Sequence, residues 1–356
     1  MPAHGTSDSA RLRDAECAYQ KGISALERDQ YDRAIAHFTR ALRLVPSDTD
    51  ALFGRAVALV KIGDHASALA NLNRLVRSDP RHADAYEYRG IAHAQQGNLE
   101  QAIADYSAAL RLNPTSIAAY YNRGLAHGDQ GSWDAALADF EEVARRDPHF
   151  IGAHANQGSI LYQQEEYAQA IAAFSAALRL DPDCAPLYLS RGDAHAANGA
   201  DDQALADYDE TLRLDPDNIH ARNRRATVYY RLGEYERAQA DHQRALDDDT
   251  DHPVTNNYLA WILATCPVDA LRDGTRAVEL AQKACTLTEW SIPGFLDTLA
   301  AAFAECGRFE EAIHWAARAV AEADNEVQEE YAARLALYQA GQPYRDHPRQ
   351  SQAPPP

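Results

Sequence analysis

Arginine and aspartate recur in this chain at a spacing that could pair them. Sixteen residues after Arg89, Arg123, Arg191 and Arg225 stand Asp105, Asp139, Asp207 and Asp241. Where the first slot changes the second changes with it: Arg55 meets Asn71, Gln157 meets Ala173 and Lys21 meets His37. This covariation predicts a hydrogen-bonded ion pair that bridges two helices. His93, His127 and His195 also recur at multiples of 34 residues, each in an Ala-His step. A metal needs converging ligands, whereas sites one helix pair apart are separated by about 10 Å, so these read as core-edge histidines. Asp247-Asp248-Asp249-Thr250-Asp251 has the look of a calcium loop, but His252 and Tyr258 hold the places that need Gly and Glu, which leaves a solvated turn. There is no glycine-rich phosphate loop, HExxH or nucleophile elbow. The expectation is a chain without catalysis, metal or cofactor.

The spacing of these groups comes from a repeat. Pro46, Pro80, Pro114, Pro148, Pro182 and Pro216 are each 34 residues apart. A period of this length marks a solenoid in which each unit contacts its neighbours. Reading the unit from Ala15, its eighth place is always Gly or Ala (Gly22 to Ala226), and twelve residues later stands Ala34, Ala68, Ala102, Ala136, Ala170, Ala204 or Ala238. Small residues at both places suit two closely crossing helices. Four residues further a larger side chain, such as Phe38, Tyr106 or Phe140, shares one face of the second helix with that Ala. Gly63, Gly97, Gly131, Gly199 and Gly233 mark the turn between the helices, and Asp-Pro or Asn-Pro ends the unit.

These residues resemble the tetratricopeptide repeat, and the resemblance covers roughly residues 12–323. The departures are the arginines in its Leu slot and the histidines in its Tyr slot. The expected fold is all-α, a right-handed superhelical solenoid of about nine helix pairs with a C-terminal capping helix. Seven in-phase units are expected over 11–252, with the phase breaking at Thr250, three residues before Pro253. Two divergent units follow over 253–325, the first with five extra residues in the turn 266–274. Their Leu259-Ala260-Trp261, Ala264-Thr265-Cys266-Pro267, Arg272-Asp273-Gly274 and Leu296-Asp297-Thr298-Leu299-Ala300 are similar to the closing repeats of many bacterial members. Residues 326–340 read as the cap, with Tyr331, Leu335 and Tyr338 on its apolar stripe, and 1–10 and 341–356 as disordered ends.

The resemblance implies that first helices line a concave groove. The residues expected to contact a peptide there are Tyr88, Tyr121, Asn122, Asn156, Tyr162, Ser190, Asn223 and Arg224, with Arg224 and Arg231 as its positive end. An Asn amide both donates and accepts, so an Asn ladder could hold an extended backbone without reading its sequence. The same Asn residues could equally be tolerated solvent-facing positions, and the pattern leaves both readings open. A clamp for acidic chaperone C-termini is argued against, because the second place of the units carries no Lys or Arg. The functional expectation is a protein-interaction scaffold that binds a protein or peptide partner. The alternative is a regulatory or targeting subunit of a separately encoded enzyme. Partner identity and oligomeric state are not legible.

Composition bounds the rest. The formal net charge is −19, which disfavours nonspecific binding to nucleic acid. Arg outnumbers Lys 31 to 3, in keeping with a GC-rich bacterial genome. Five cysteines without CxxC spacing suit reduced, mostly buried thiols, Cys266 in the long turn being the most exposed. No leader or membrane span is read, so the expected location is the cytoplasm.

Overall fold

The structure, a computed structural model, describes residues 4–346, with side chains from Ser9 onward. Among the described residues it is all-helical, with nineteen α-helices, one 3-10 turn and no strand. The chain divides into two compact units, 1–164 and 165–356. In unit 1, α1 (His4–Leu26) pairs with α2 (Tyr31–Leu44), α3 (Thr49–Lys61) with α4 (His65–Ser78), α5 (Ala83–Gln95) with α6 (Leu99–Leu112) and α7 (Ile117–Asp129) with α8 (Trp133–Arg146), before α9 (Ile151–Gln163). Unit 2 starts with α10 (Tyr167–Leu180). Its pairs are α11 (Ala185–Ala197) with α12 (Asp201–Leu214), α13 (Ile219–Leu232) with α14 (Tyr235–Asp248), α15 (Pro253–Thr265) with α16 (Gly274–Leu287) and α17 (Pro293–Glu305) with α18 (Phe309–Glu322). The helix α19 (Asn325–Gln339) packs on α18.

Local chemistry sets these boundaries. The residue before a first helix accepts a hydrogen bond from the third helical N–H at Asp48, His82, Ser116, Asn218 and His252, which satisfies one of the orphan donors. Phe150 holds that slot before α9 and cannot cap; its ring packs on Tyr121 instead, centroids 4.8 Å apart. Between paired helices one residue adopts the left-handed conformation that glycine favours, as at Gly63, Gly97 and Gly131. In the same slot Asp29 and Glu165 take φ of 55° and 62° despite their side chains. The alanines in the second helices, from Ala34 to Ala238, are fully buried. The glycine slot opposes the aromatic ring rather than the alanine: a Cβ on Gly124 would lie 2.9 Å from Phe140.

Four sequence expectations need correction. First helices begin every 34 residues from Thr49 through Pro253, so the phase survives the missing proline at 250, and Pro253 serves as the first residue of α15. The register slips only in the following turn, which packs down: Asp273 N–H donates to the Leu263 carbonyl and Arg272 donates to that of Cys266. Cys266 is therefore buried, while Cys17 and Cys306 are exposed. Helix α1 already runs from His4, inside the stretch expected to be disordered. At the other end, residues 341–346 fold back on the repeats rather than leaving them. Residues 1–3 and 347–356 lie outside the described residues. Tyr331 and Tyr338 of α19 are in the core, and between them Arg334 pairs with Asp297, whose side chain is fully buried.

Candidate functional site on the first-helix face

The paired groups of the sequence meet as a ladder. Arg123 Nε and Nη2 donate to Asp139 Oδ2 and Oδ1 at 2.9 and 2.7 Å, and Arg89, Arg191 and Arg225 repeat this bidentate pattern with Asp105, Asp207 and Asp241. The third nitrogen reaches the preceding second helix, as in Arg123 Nη1 to Ser107 Oγ at 3.0 Å. Each arginine thus ties three helices together. His93 and His195 approach the same carboxylates at 4.0 and 3.8 Å, and burial lowers their pKa values. In the acidic turn Asp248 accepts from Arg222, Asp249 holds the Asp251 N–H, and Asp251 pairs with Lys283. Among the described residues no three His, Cys, Asp or Glu side chains are placed to hold a metal.

The stripe that the first helices leave uncovered forms a cleft of about 340 Å³ in unit 1. Leu125, Gly128 and Asp129 of α7 follow helical i, i+3, i+4 spacing, as do Asn156, Ser159, Ile160 and Gln163 of α9. Trp133 and Phe140 of α8 complete its apolar lining. The cleft exists because Gly128 and Ser159 are small: a Cβ on Gly128 would meet only Ile160, at 3.8 Å. Asn156 spends its amide donors on Tyr121 Oη, at 3.1 Å, and on the Gly152 carbonyl, at 2.7 Å. What it can still offer a ligand is its acceptor oxygen. Asn122, one turn before Leu125, makes no side-chain hydrogen bond among the described residues, so its amide keeps donor and acceptor.

The other expected contacts divide between the units. Tyr88 is half-buried and edge-on to Phe53, 5.4 Å between centroids, and Tyr162 of α9 is 37% exposed. In unit 2, Ser190 donates to the Pro186 carbonyl of its own helix. Asn223 is buried, with Nδ2 on Thr255 Oγ1 and Oδ1 on His242 Nδ1, so it joins α13 to α15 and α14. Arg224 lies 3.5 Å from Asp193, and Arg231 pairs with Asp201. The positive end expected there is neutralised, because Asp193 and Asp201 come from slots that the sequence pattern did not connect to it.

A second site lies on the same face in unit 2, and the sequence reading missed it. Asp346 is 3% exposed, and its Oδ2 accepts from Tyr230 Oη and Trp261 Nε1, each at 2.9 Å. Its backbone N–H donates to the Thr265 carbonyl at 2.9 Å. Tyr344 packs on Trp261 with ring centroids 5.9 Å apart, and Arg345 reaches Glu305 at 2.7 Å. Three repeat lengths carry Gly128, Ser159 and Gln163 onto Tyr230, Trp261 and Thr265. The cleft and this pocket are thus the same place in the repeat, and comparing their numbers modulo 34 would have exposed it.

The tetratricopeptide repeat family matches residues 19–70, 55–117, 121–182 and 155–219, and again 219–248. The chain belongs to the tetratricopeptide repeat family. Its repeats are those of a protein-interaction scaffold in the general sense. Among solved structures, the C-terminal part of a repeat protein from Cytophaga hutchinsonii is similar at 20% identity and a TM-score of 0.59, covering 68% of this chain and 99% of that one. A repeat protein from Parabacteroides merdae (20%, TM-score 0.51) covers 69% and 98%. PilF of Pseudomonas aeruginosa (21%, TM-score 0.52) covers 60% and 96%. At these identities the likeness concerns the fold alone. No functionally curated protein matches the chain. No described helix is long and apolar enough to cross a membrane.

Proposed function

We propose that the chain is a non-enzymatic interaction scaffold that receives an extended partner segment on its first-helix face, with the α7–α9 cleft as the principal anchor. The observation that carries this reading is the cleft's composition. Trp133, Phe140, Leu125 and Ile160 offer apolar surface, while Asn156, Asp129 and Gln163 stand at the same cleft to orient a backbone. An apolar side chain of the partner fits there, Asn122 hydrogen-bonds its backbone, and Tyr88, Tyr121 and Tyr162 extend the contact along unit 1. Of the unit 2 residues, Ser190 and Arg224 stay at the margin of this proposal and Asn223 leaves it.

The test is to fill the cleft from within. Burying one apolar side chain contributes about 1.5–3 kcal/mol, so a partner recovered with the full chain should bind Ser159→Trp roughly tenfold to a hundredfold more weakly. Ser159 is exposed, so the variant should keep its helical circular dichroism. Undiminished affinity in the folded variant sinks the cleft as the anchor.

A further inference from the structure

Unit 2 seats a segment of its own chain on the face where unit 1 has its cleft. The strap after α19 touches α13 and α15 through Tyr344 and Asp346, and among the described residues its one backbone hydrogen bond to them is Asp346 N–H to Thr265. The pocket receives a carboxylate oxygen: Tyr230 Oη and Trp261 Nε1 both donate to Asp346 Oδ2. It holds that carboxylate incompletely. Asp346 forms no ion pair among the described residues, since Arg345 is committed to Glu305 and Arg334 to Asp297. Its other oxygen, Oδ1, is buried without a hydrogen-bond partner among the described residues. A buried carboxylate satisfied on one oxygen by neutral donors is held by a narrow margin.

We propose that the pocket of Tyr230, Trp261 and Thr265 is a binding site for an extended segment bearing an aspartate, that residues 342–346 are its resident ligand in cis, and that a partner segment of this chemistry displaces them. The strap is then a competitor built into the chain. It limits access to the α13–α15 face of unit 2. The proposal stands on the strap's geometry and does not depend on the reading of that cleft.

Two measurements test it. An end-blocked, labelled peptide of sequence Gly-Gln-Pro-Tyr-Arg-Asp-His-Pro is titrated into the full chain and into its Asp346→Ala variant. The variant should bind the peptide at least tenfold more tightly than the unaltered chain, and a peptide with Asn for Asp should bind the variant at least tenfold more weakly. Equal affinity of the two peptides for the folded variant, or no binding, overturns the proposal. The second measurement needs no variant. In the unaltered chain the Asp346 amide should exchange with deuterium at least tenfold faster than Ala260 and Trp261 of α15, because the strap opens without unfolding. Exchange in step with α15 would make the strap a permanent part of the fold and end the proposal. Neither measurement involves the α7–α9 cleft, so failure here leaves the reading there to its own test.

Discussion

Three repeat lengths separate the α7–α9 cleft from the α13–α15 pocket, and the same slots line both. In unit 1 those slots carry Gly128 and Ser159, and the helices leave about 340 Å³ between them. In unit 2 they carry Tyr230 and Trp261, whose polar tips meet on Asp346. The tie between neighbouring first helices also changes. Tyr121 joins α7 to α9 through Asn156, whereas its counterpart Asn223 joins α13 to α15 through Thr255. Phe140 lies beneath the cleft; its counterpart His242 is buried, and burial pushes its pKa down to about 3. A repeat fixes the backbone and the positions of its slots, and the side chains in a few of them decide what that face can hold.

The comparison breaks most severely at the end of unit 2. Arg334 offsets the charge of the fully buried Asp297 and lies over the rings of Trp261 and Tyr344. Arg334→Ala should lose about 3–5 kcal/mol in urea unfolding, because it leaves a buried carboxylate unpaired. A loss below 1 kcal/mol, typical of exposed pairs, would remove α19 as the support of the strap site.

In unit 1 the corresponding weak point is the rung beside the cleft. Asp139 is 4% exposed and Arg123 is partly exposed, so their coupling should fall between about 1 and 3 kcal/mol. A double-mutant cycle with Arg123→Ala and Asp139→Ala measures it, and additive losses would show that the pair does not hold α7 to α8.

Acid should separate the two regions. His242 is depressed in the folded protein, so between pH 6.5 and about 3 the unfolded chain binds a proton that the folded chain does not. Its contribution is present above pH 6.5 and is lost as pH falls, by about 2 kcal/mol at pH 5. Urea midpoints at pH 7.5 and 5 should differ less in His242→Phe, which gives unit 2 the residue type of unit 1. An unchanged pH dependence would place the acid sensitivity elsewhere.

The smallest effect sharpens the cleft itself. Gly128→Ala replaces a glycine in the last turn of α7, and its Cβ would make only ordinary contact with Ile160, so stability should rise by at most about 1 kcal/mol. Thermal melting checks this, and a fall would mean that the walls approach more closely than the 3.8 Å contact implies.

Much of the architecture was legible because the repeat is written in local contacts. Gly124 against Phe140 and Arg123 against Asp139 lie sixteen residues apart and recur in most units, so the two-helix unit and its ion pair can be read from spacing alone. Asn156, which lines the α7–α9 cleft, could be assigned to the first-helix face for the same reason. The period could not say which face residues were already engaged. Asn223 is sealed by Thr255 and His242, and Arg224 is matched by Asp193, through contacts that differ from repeat to repeat.

The strap lay further from view. Asp346 meets Trp261 and Tyr230 across 85 and 116 residues, and no periodic signal spans such distances. Gly-Gln-Pro-Tyr-Arg-Asp reads as a polar tail until the pocket that receives it is assembled. Sequence alone determined the helix pairs, because each buries its small and aromatic residues against an immediate neighbour. Only the tertiary structure decided which slots stay open and which are filled, because that depends on side chains brought together from helices far apart in the chain.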